Sequence, residues 1–184
     1  MKTLWVIAED ESDIIILRTI LERRNIRVRV PTTYVLEGGS GGLSRLVQQA
    51  EDYIRLAKAE KEEGDCIVVL HDWDSQSEAN RALYEAVERI CQKHDVIELV
   101  AVDEIEAWLL ADKGICDWLN IRHESRDALA KPSEAIDSFI KRRFNQKKRY
   151  QGRFKTELLV YLSGENISPS FKAALQKLTD AECL

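Results

Sequence analysis

Two periods of apolar residues alternate along the chain. Thr3 to Ala8 is a run of apolar character that meets Glu9 and Asp10 at once, as a buried strand ending at a polar edge does. Ile14, Leu17, Ile20 and Leu21 then recur at helical spacing, and Arg23-Arg24 closes that helix with charge favourable to its C-terminal dipole. Residues 25–36 alternate in part (Ile26, Val28, Val30) and predict a second strand, with Pro31 marking an irregular or edge position. Leu43 to Glu63 predicts a helix with Leu46, Val47, Ala50, Ile54 and Ala57 on one face. Ile67 to Leu70 is the apolar part of a third strand, which ends in His71-Asp72-Trp73-Asp74. A helix over Ser77 to Lys93, a fourth strand over Val96 to Val102 and a helix entered through the acidic stretch from Asp103 follow. Helices between successive strands imply right-handed crossovers and a largely parallel sheet.

Beyond residue 121 the pattern is polar and then helical. Pro132-Ser133-Glu134 marks a helix start, and further helices are expected over Thr156 to Leu162 and Pro169 to Leu178. The expected fold is α/β: a Rossmann-like core of about four mostly parallel strands flanked by helices, spanning residues 1–121, with a helical, partly basic C-terminal extension over 122–184 packed on it. The 184 residues suffice for a sizeable core. No stretch approaches a membrane span, and the N-terminal apolar run is too short for a signal peptide. Cys66, Cys91, Cys116 and Cys183 are scattered with no paired spacing, which predicts reduced thiols in a cytoplasmic protein and no zinc site.

The formal net charge of -5 argues against a chain that coats nucleic acid indiscriminately, but the charge is unevenly placed. The segment from Lys141 to Lys155 carries no acid, and its Lys141, Arg142, Arg143, Lys147, Lys148, Arg149, Arg153 and Lys155 fit contacts to a phosphate backbone. The interleaved Phe139, Phe144, Tyr150 and Phe154 either stack on unpaired bases or face the core. An acidic partner protein is the other occupant such a face suits. Four glycines at positions 38, 39, 41 and 42 can offer backbone N–H groups to an anion, but Leu43-Ser44-Arg45 follows where a P-loop needs Gly-Lys-Ser/Thr. A flexible loop entering a helix is the simpler reading.

Acidic clusters follow strands 1, 3 and 4, whose carboxyl ends share one edge of a parallel sheet, where α/β folds bind ligands. Bringing Glu9, Asp72, Asp74 and a glutamate at 104 or 106 together there costs free energy unless a cation is present. Carboxylates without His or Cys partners favour Mg²⁺ or Mn²⁺. The plain alternative is that these acids start turns and cap helices. Trp108 is expected in the core, and His71, alone beside a buried strand, is expected to be structural.

Glu9 followed by Ser12 and Asp13, then Asp72-Trp73-Asp74 after a later strand, resembles the TOPRIM domain of topoisomerases, bacterial-type primases and OLD-type nucleases. The chain departs from that pattern at Asp10, where Gly is usual. Over nearly its whole length it is similar to a small bacterial TOPRIM-like family of unknown function. The shared features are the Gly-rich loop, the Asp-x-Asp strand end, Glu106-Ala107-Trp108-Leu109-Leu110-Ala111-Asp112, Lys131-Pro132 and Ser168-Pro169-Ser170-Phe171. The resemblance implies catalytic roles for Glu9, Asp72 and Asp74, and a metal environment of Glu9, Asp13, Asp72, Asp74 and Glu106 holding Mg²⁺ or Mn²⁺. It further implies a nuclease cleaving DNA or RNA, controlled by a partner ATPase of SMC/ABC or AAA type in phage defence. The alternatives are a non-catalytic TOPRIM-like subunit docking on such an ATPase, and a receiver-like phosphoacceptor domain. The receiver reading fits poorly, because Lys131-Pro132 follows a polar helical segment where a receiver has its fifth strand.

Overall fold

Apolar runs that end in acid become the strands of one parallel sheet. The computed structural model describes residues 1–36, 42–74, 78–124, 129, 131–145, 147–150 and 154–184, and of Phe154 the backbone alone. Four strands, β1 (Leu4–Ala8), β2 (Tyr34–Val35), β3 (Cys66–Trp73) and β4 (Ile97–Val102), lie in the order β2-β1-β3-β4. All pairings are parallel: Leu4 to Ala8 match Cys66 to Leu70, and Val68 to Trp73 match Ile97 to Val102. The helices are α1 (Glu11–Arg23), α2 (Gly42–Glu60), α3 (Arg81–His94), α4 (Glu106–Leu110), α5 (Lys113–Leu119), α6 (Pro132–Arg143), α7 (Phe154–Glu157) and α8 (Pro169–Asp180).

Strand residues alternate between two apolar clusters, as a period of two requires. Trp5, Ile7, Ile67 and Val69 pack with Leu46, Ala50 and Ile54 of α2 and Val87 and Cys91 of α3. Leu4, Val6, Ala8, Val68, Leu70, Leu99 and Ala101 face the other way, onto α1, α4, α5, α6 and α8. The C-terminal helices therefore share a core with the strands, and α8 lies against β4.

Two motifs distant in sequence meet in that core. Trp108, fully buried, donates from Nε1 to Ser170 Oγ at 2.8 Å, and its ring centroid lies 5.3 Å from that of Phe171. Asp112, equally buried, caps α5 by accepting from the N–H groups of Gly114 and Ile115. The same carboxylate accepts from the N–H groups of Ser163 and Gly164 and from the Ser163 hydroxyl. A buried charge is tolerable only when hydrogen-bonded in this way. Gly114 has no alternative, because a Cβ there would lie 2.2 Å from the Tyr161 carbonyl oxygen.

The second strand is much shorter than its sequence pattern suggests. Arg29 forms a single bridge to Thr3, and regular pairing resumes at Tyr34, after Pro31, which has no N–H to give the ladder. The acidic helix after β4 is two short helices divided by the Asp112 cap. A 3-10 turn, Glu78–Asn80, precedes α3, and α7 gives way to a second such turn at Leu158–Tyr161.

The cysteines correct the expectation of four reduced thiols. Cys66 and Cys183 are joined in a disulfide, with Cα atoms 5.7 Å apart, while Cys91 and Cys116 are buried thiols outside that bond. After α8 the chain turns through Glu182 at φ 54° and seats Cys183, which is 1% exposed, at the amino end of β3. A link across 117 residues leaves no local spacing for the sequence to show. Closing a loop of that length stabilises the fold by about 4–5 kcal/mol in the chain-entropy description. Dithiothreitol, or Cys183→Ser, should therefore lower the urea midpoint, whereas Cys116→Ala in oxidised protein should not respond to reductant differently from wild type. An unchanged midpoint under reduction would show that the bond contributes nothing.

Candidate carboxylate site at the sheet edge

Four acids reach one pocket from four positions in the fold. Glu9 is the first residue past β1, Asp72 is the penultimate residue of β3, Asp13 lies in the first turn of α1, and Glu106 opens α4. All four line a cavity of 220 Å³ together with Asp10, Glu104, Ser133 and Lys155. The local sequence explains each placement. Asp10 caps α1 by accepting from the Ser12 N–H at 2.8 Å, which turns Asp13 inward. Asp72 Oδ1 accepts the Ile105 N–H at 2.9 Å, tying β3 to the start of α4. Glu104 Oε2 accepts the Ser133 N–H at 2.6 Å, so a second acid anchors the N-terminus of α6. Gly42, at φ 46°, brings the N-terminus of α2 so close that a Cβ would sit 3.2 Å from Glu9 Oε2.

The electrostatics follow from burial and mutual repulsion. Burial pushes the Asp13 carboxyl up to about 8, and Glu106, Asp10 and Glu9 add to that while Lys155 opposes it. Burial also holds Asp72 well above the usual carboxylate range, reinforced by Asp13 and Glu106 and opposed by the Ile105 N–H. Glu106 is raised by burial and by Glu104, against the pull of Lys155. Glu9 is raised by burial and eased back by the neighbouring His71 and Arg45. Lys155 Nζ stands 3.5 Å from Glu106 Oε1; burial works against its charge, but Glu106, Asp10 and Asp13 outweigh it and raise its pKa. All four carboxyls are thus raised, with the Lys155 ammonium the positive group that opposes the shifts of Asp13 and Glu106.

The donor set is chemically suited to a hard divalent ion, being carboxylate oxygen throughout. Among the described residues, however, no three His, Cys, Asp or Glu side chains converge closely enough to hold a metal ion as they stand. The Lys155 ammonium takes up part of the charge such an ion would neutralise.

The other sequence-derived residues are distributed more widely. Asp74 lies outside this pocket, on a neighbouring cavity, with its N–H bonded to the Tyr84 hydroxyl at 2.7 Å. His71 is buried, Nδ1 to the Asp72 carbonyl and Nε2 to Glu98, each at 2.9 Å. Arg142 and Arg143 lie over the rings of Phe139 and Trp118, and Lys148 lies over Phe144. Lys147 is exposed, and Arg153 and most of the glycine loop (37–41) lie outside the described residues. Lys141 pairs with Asp137 and, with Arg149, lines a cavity that meets the carboxylate pocket at Ser133. Phe139, Phe144 and Tyr150 pack on the main core, so the aromatic residues of the basic segment face inward at these three positions. Lys155 as a member of the acidic pocket, and Ser133 beside it, were not evident from sequence. The Pro132 helix start was the one signal that an N-terminus would be available there.

Asp13 supplies a pH test. Its folded pKa, about 8, exceeds the unfolded value, so the folded chain binds the extra proton. The stabilisation is complete below pH ~4 and is lost as pH rises toward ~8, at up to about 1.4 kcal/mol per pH unit for one proton. In chelator-treated protein, urea stability should fall over that window, and Asp13→Asn should flatten the slope and raise stability at pH 8. A wild-type stability that rises or stays level across the window would contradict the assignment.

In comparisons with family models, curated proteins and solved structures, no family, relative or structural neighbour matches the chain.

Proposed function

We propose that the chain is a TOPRIM-like, divalent-metal-dependent phosphodiesterase that hydrolyses the backbone of DNA or RNA. One observation carries this reading: Glu9, Asp13, Asp72 and Glu106 share a single pocket at the carboxyl edge of a parallel sheet, each with its pKa raised. In this reading Asp13, Asp72 and Glu106 would hold Mg²⁺ or Mn²⁺ with Glu9 beside them, and the ion would supply polarisation of a phosphate oxygen and activation of water. The chain's own groups have separate tasks. Lys155 offers positive charge toward an anionic substrate at the same pocket. Glu9, eased toward ionisation by His71 and Arg45, is the group that accepts or returns a proton. Arg149 and Lys141, past the shared Ser133, lie where a flanking phosphate of a bound strand would pass. Control by a partner ATPase in phage defence belongs to this reading through the family resemblance alone.

One observation favours a second reading, a non-catalytic subunit docking on an ATPase. Lys155 already stands beside Glu106, and among the described residues no three donors converge as a metal ion requires. The receiver-like reading loses its lysine. Lys131 is the N-cap of α6 and pairs with Glu134 at the surface, and no fifth strand is present among the described residues.

Purified protein, alone and with any co-purifying ATPase, should cleave plasmid, single-stranded DNA or RNA when given Mg²⁺ or Mn²⁺. Asp72→Asn and Glu9→Gln should each reduce cleavage by at least about a hundredfold, the scale of a lost acid/base or ligand role. Equal traces from wild type and both variants on all three substrates would favour the docking subunit.

A further inference from the structure

A second cavity lies between the C-terminal part of β3, the edge strand β4 and α3. Its volume is 490 Å³ against 220 Å³ for the carboxylate pocket, and the two share no lining residue. Its walls are aromatic. Trp73 is left 46% exposed at the strand end, and its ring meets Tyr84 nearly edge-on at 6.2 Å. Tyr84 in turn stacks on the buried His71 with centroids 5.9 Å apart, and its hydroxyl, accepting from Asp74, fixes it against the strand. A large aromatic face left open to water beside a preformed cavity is unusual unless something covers it.

The charge of the lining sets the sign of the occupant. Among the described residues, five carboxylates, Asp74, Glu78, Glu85, Glu88 and Glu98, line the cavity with one guanidinium, that of Arg81. Arg81 is engaged by Glu85 at 3.2 Å, and Glu98 is engaged by His71, so the rim presents a surplus of negative charge. The carboxylates are spread around the opening, and among the described residues no three of them converge as a metal ion requires. A bare ammonium stays strongly hydrated, whereas a guanidinium is planar, weakly hydrated, stacks on aromatic faces and donates to carboxylates along its edge. We propose that this cavity binds a guanidinium group, stacked on Trp73 and Tyr84 and hydrogen-bonded to rim carboxylates such as Glu78 and Glu88. The same chemistry serves a small free guanidine compound and an arginine side chain of a polypeptide.

The test uses the full chain at pH 7 and low salt, where screening is weakest, titrated calorimetrically with N-acetylarginine amide and with acetyl-Gly-Arg-Gly-amide. Saturable one-to-one binding is expected, weakened at least about fivefold by Trp73→Ala, the scale of one cation–π contact, and weakened also by Glu88→Gln on the exposed helix face. N-acetylcitrulline amide, the same shape without the charge, should not bind. Tighter binding of the peptide assigns the site to a polypeptide arginine, and equal or tighter binding of the amide assigns it to a small molecule. The proposal is overturned if neither arginine probe saturates, if citrulline binds equally well, or if Trp73→Ala and Glu88→Gln bind as wild type does. Loss of binding in Asp13→Asn would also overturn it, because the probe would then sit in the carboxylate pocket.

Discussion

Repulsion among carboxylates at the edge of a parallel sheet is the constraint to which much of this structure answers. Glu9, Asp13, Asp72 and Glu106 line one small pocket, and desolvation makes each negative charge there costlier than in water. The fold offsets that cost with nearby donors and positive charge. Lys155 stands beside Glu106, the Ile105 N–H binds Asp72, and the N-terminus of α2 approaches Glu9 at Gly42. What remains is met by protonation, seen in an Asp13 pKa of about 8. A site kept partly protonated at neutral pH has a ready way to accept a divalent cation, namely exchange of protons for the ion.

Rigid packing is what keeps the acids there. Asp72 lies near the end of β3 and Glu106 at the start of α4, and Trp108, two residues beyond Glu106, is locked against Ser170 and Phe171 of α8. Asp112 then clamps the next helix to the 163–164 turn by accepting from five donors. The Glu-x-Trp and Ser-x-Ser-Phe motifs thus serve one structural purpose, and only Glu106 of the former reaches the pocket. The disulfide at the opposite end of β3 ties the same C-terminal segment to the sheet a second time.

The parts of this arrangement legible in sequence were those governed by local periodicity. β1, β3 and β4, the helices between them and the shared carboxyl edge follow from apolar runs and the acids that end them, and the sheet is parallel as expected. Topology alone, which puts strand ends side by side, brought Glu9, Asp72, Asp74 and a glutamate at 104 or 106 together on paper, and the TOPRIM resemblance added Asp13 and singled out Glu106. Asp74 shows the limit of that inference. It lies one residue beyond the strand, where its direction is set by the turn and by Tyr84, and it faces another cavity. Contacts made across long separations left no local trace. Lys155 reaches Glu106 across 49 residues of sequence and Cys183 reaches Cys66 across 117, and neither spacing has a period. The basic segment shows another limit of sequence. Counting its charges does not show which side chains stand over aromatic rings, as Arg142, Arg143 and Lys148 do.

The exchange of protons for a cation is open to direct measurement. Mn²⁺ is titrated calorimetrically into chelator-treated protein at pH 7, in two buffers of different ionisation enthalpy. The expected result is binding whose heat differs between the buffers by the equivalent of about one proton released per ion, and which Asp72→Asn abolishes. No binding, or binding whose heat is the same in both buffers, would contradict it.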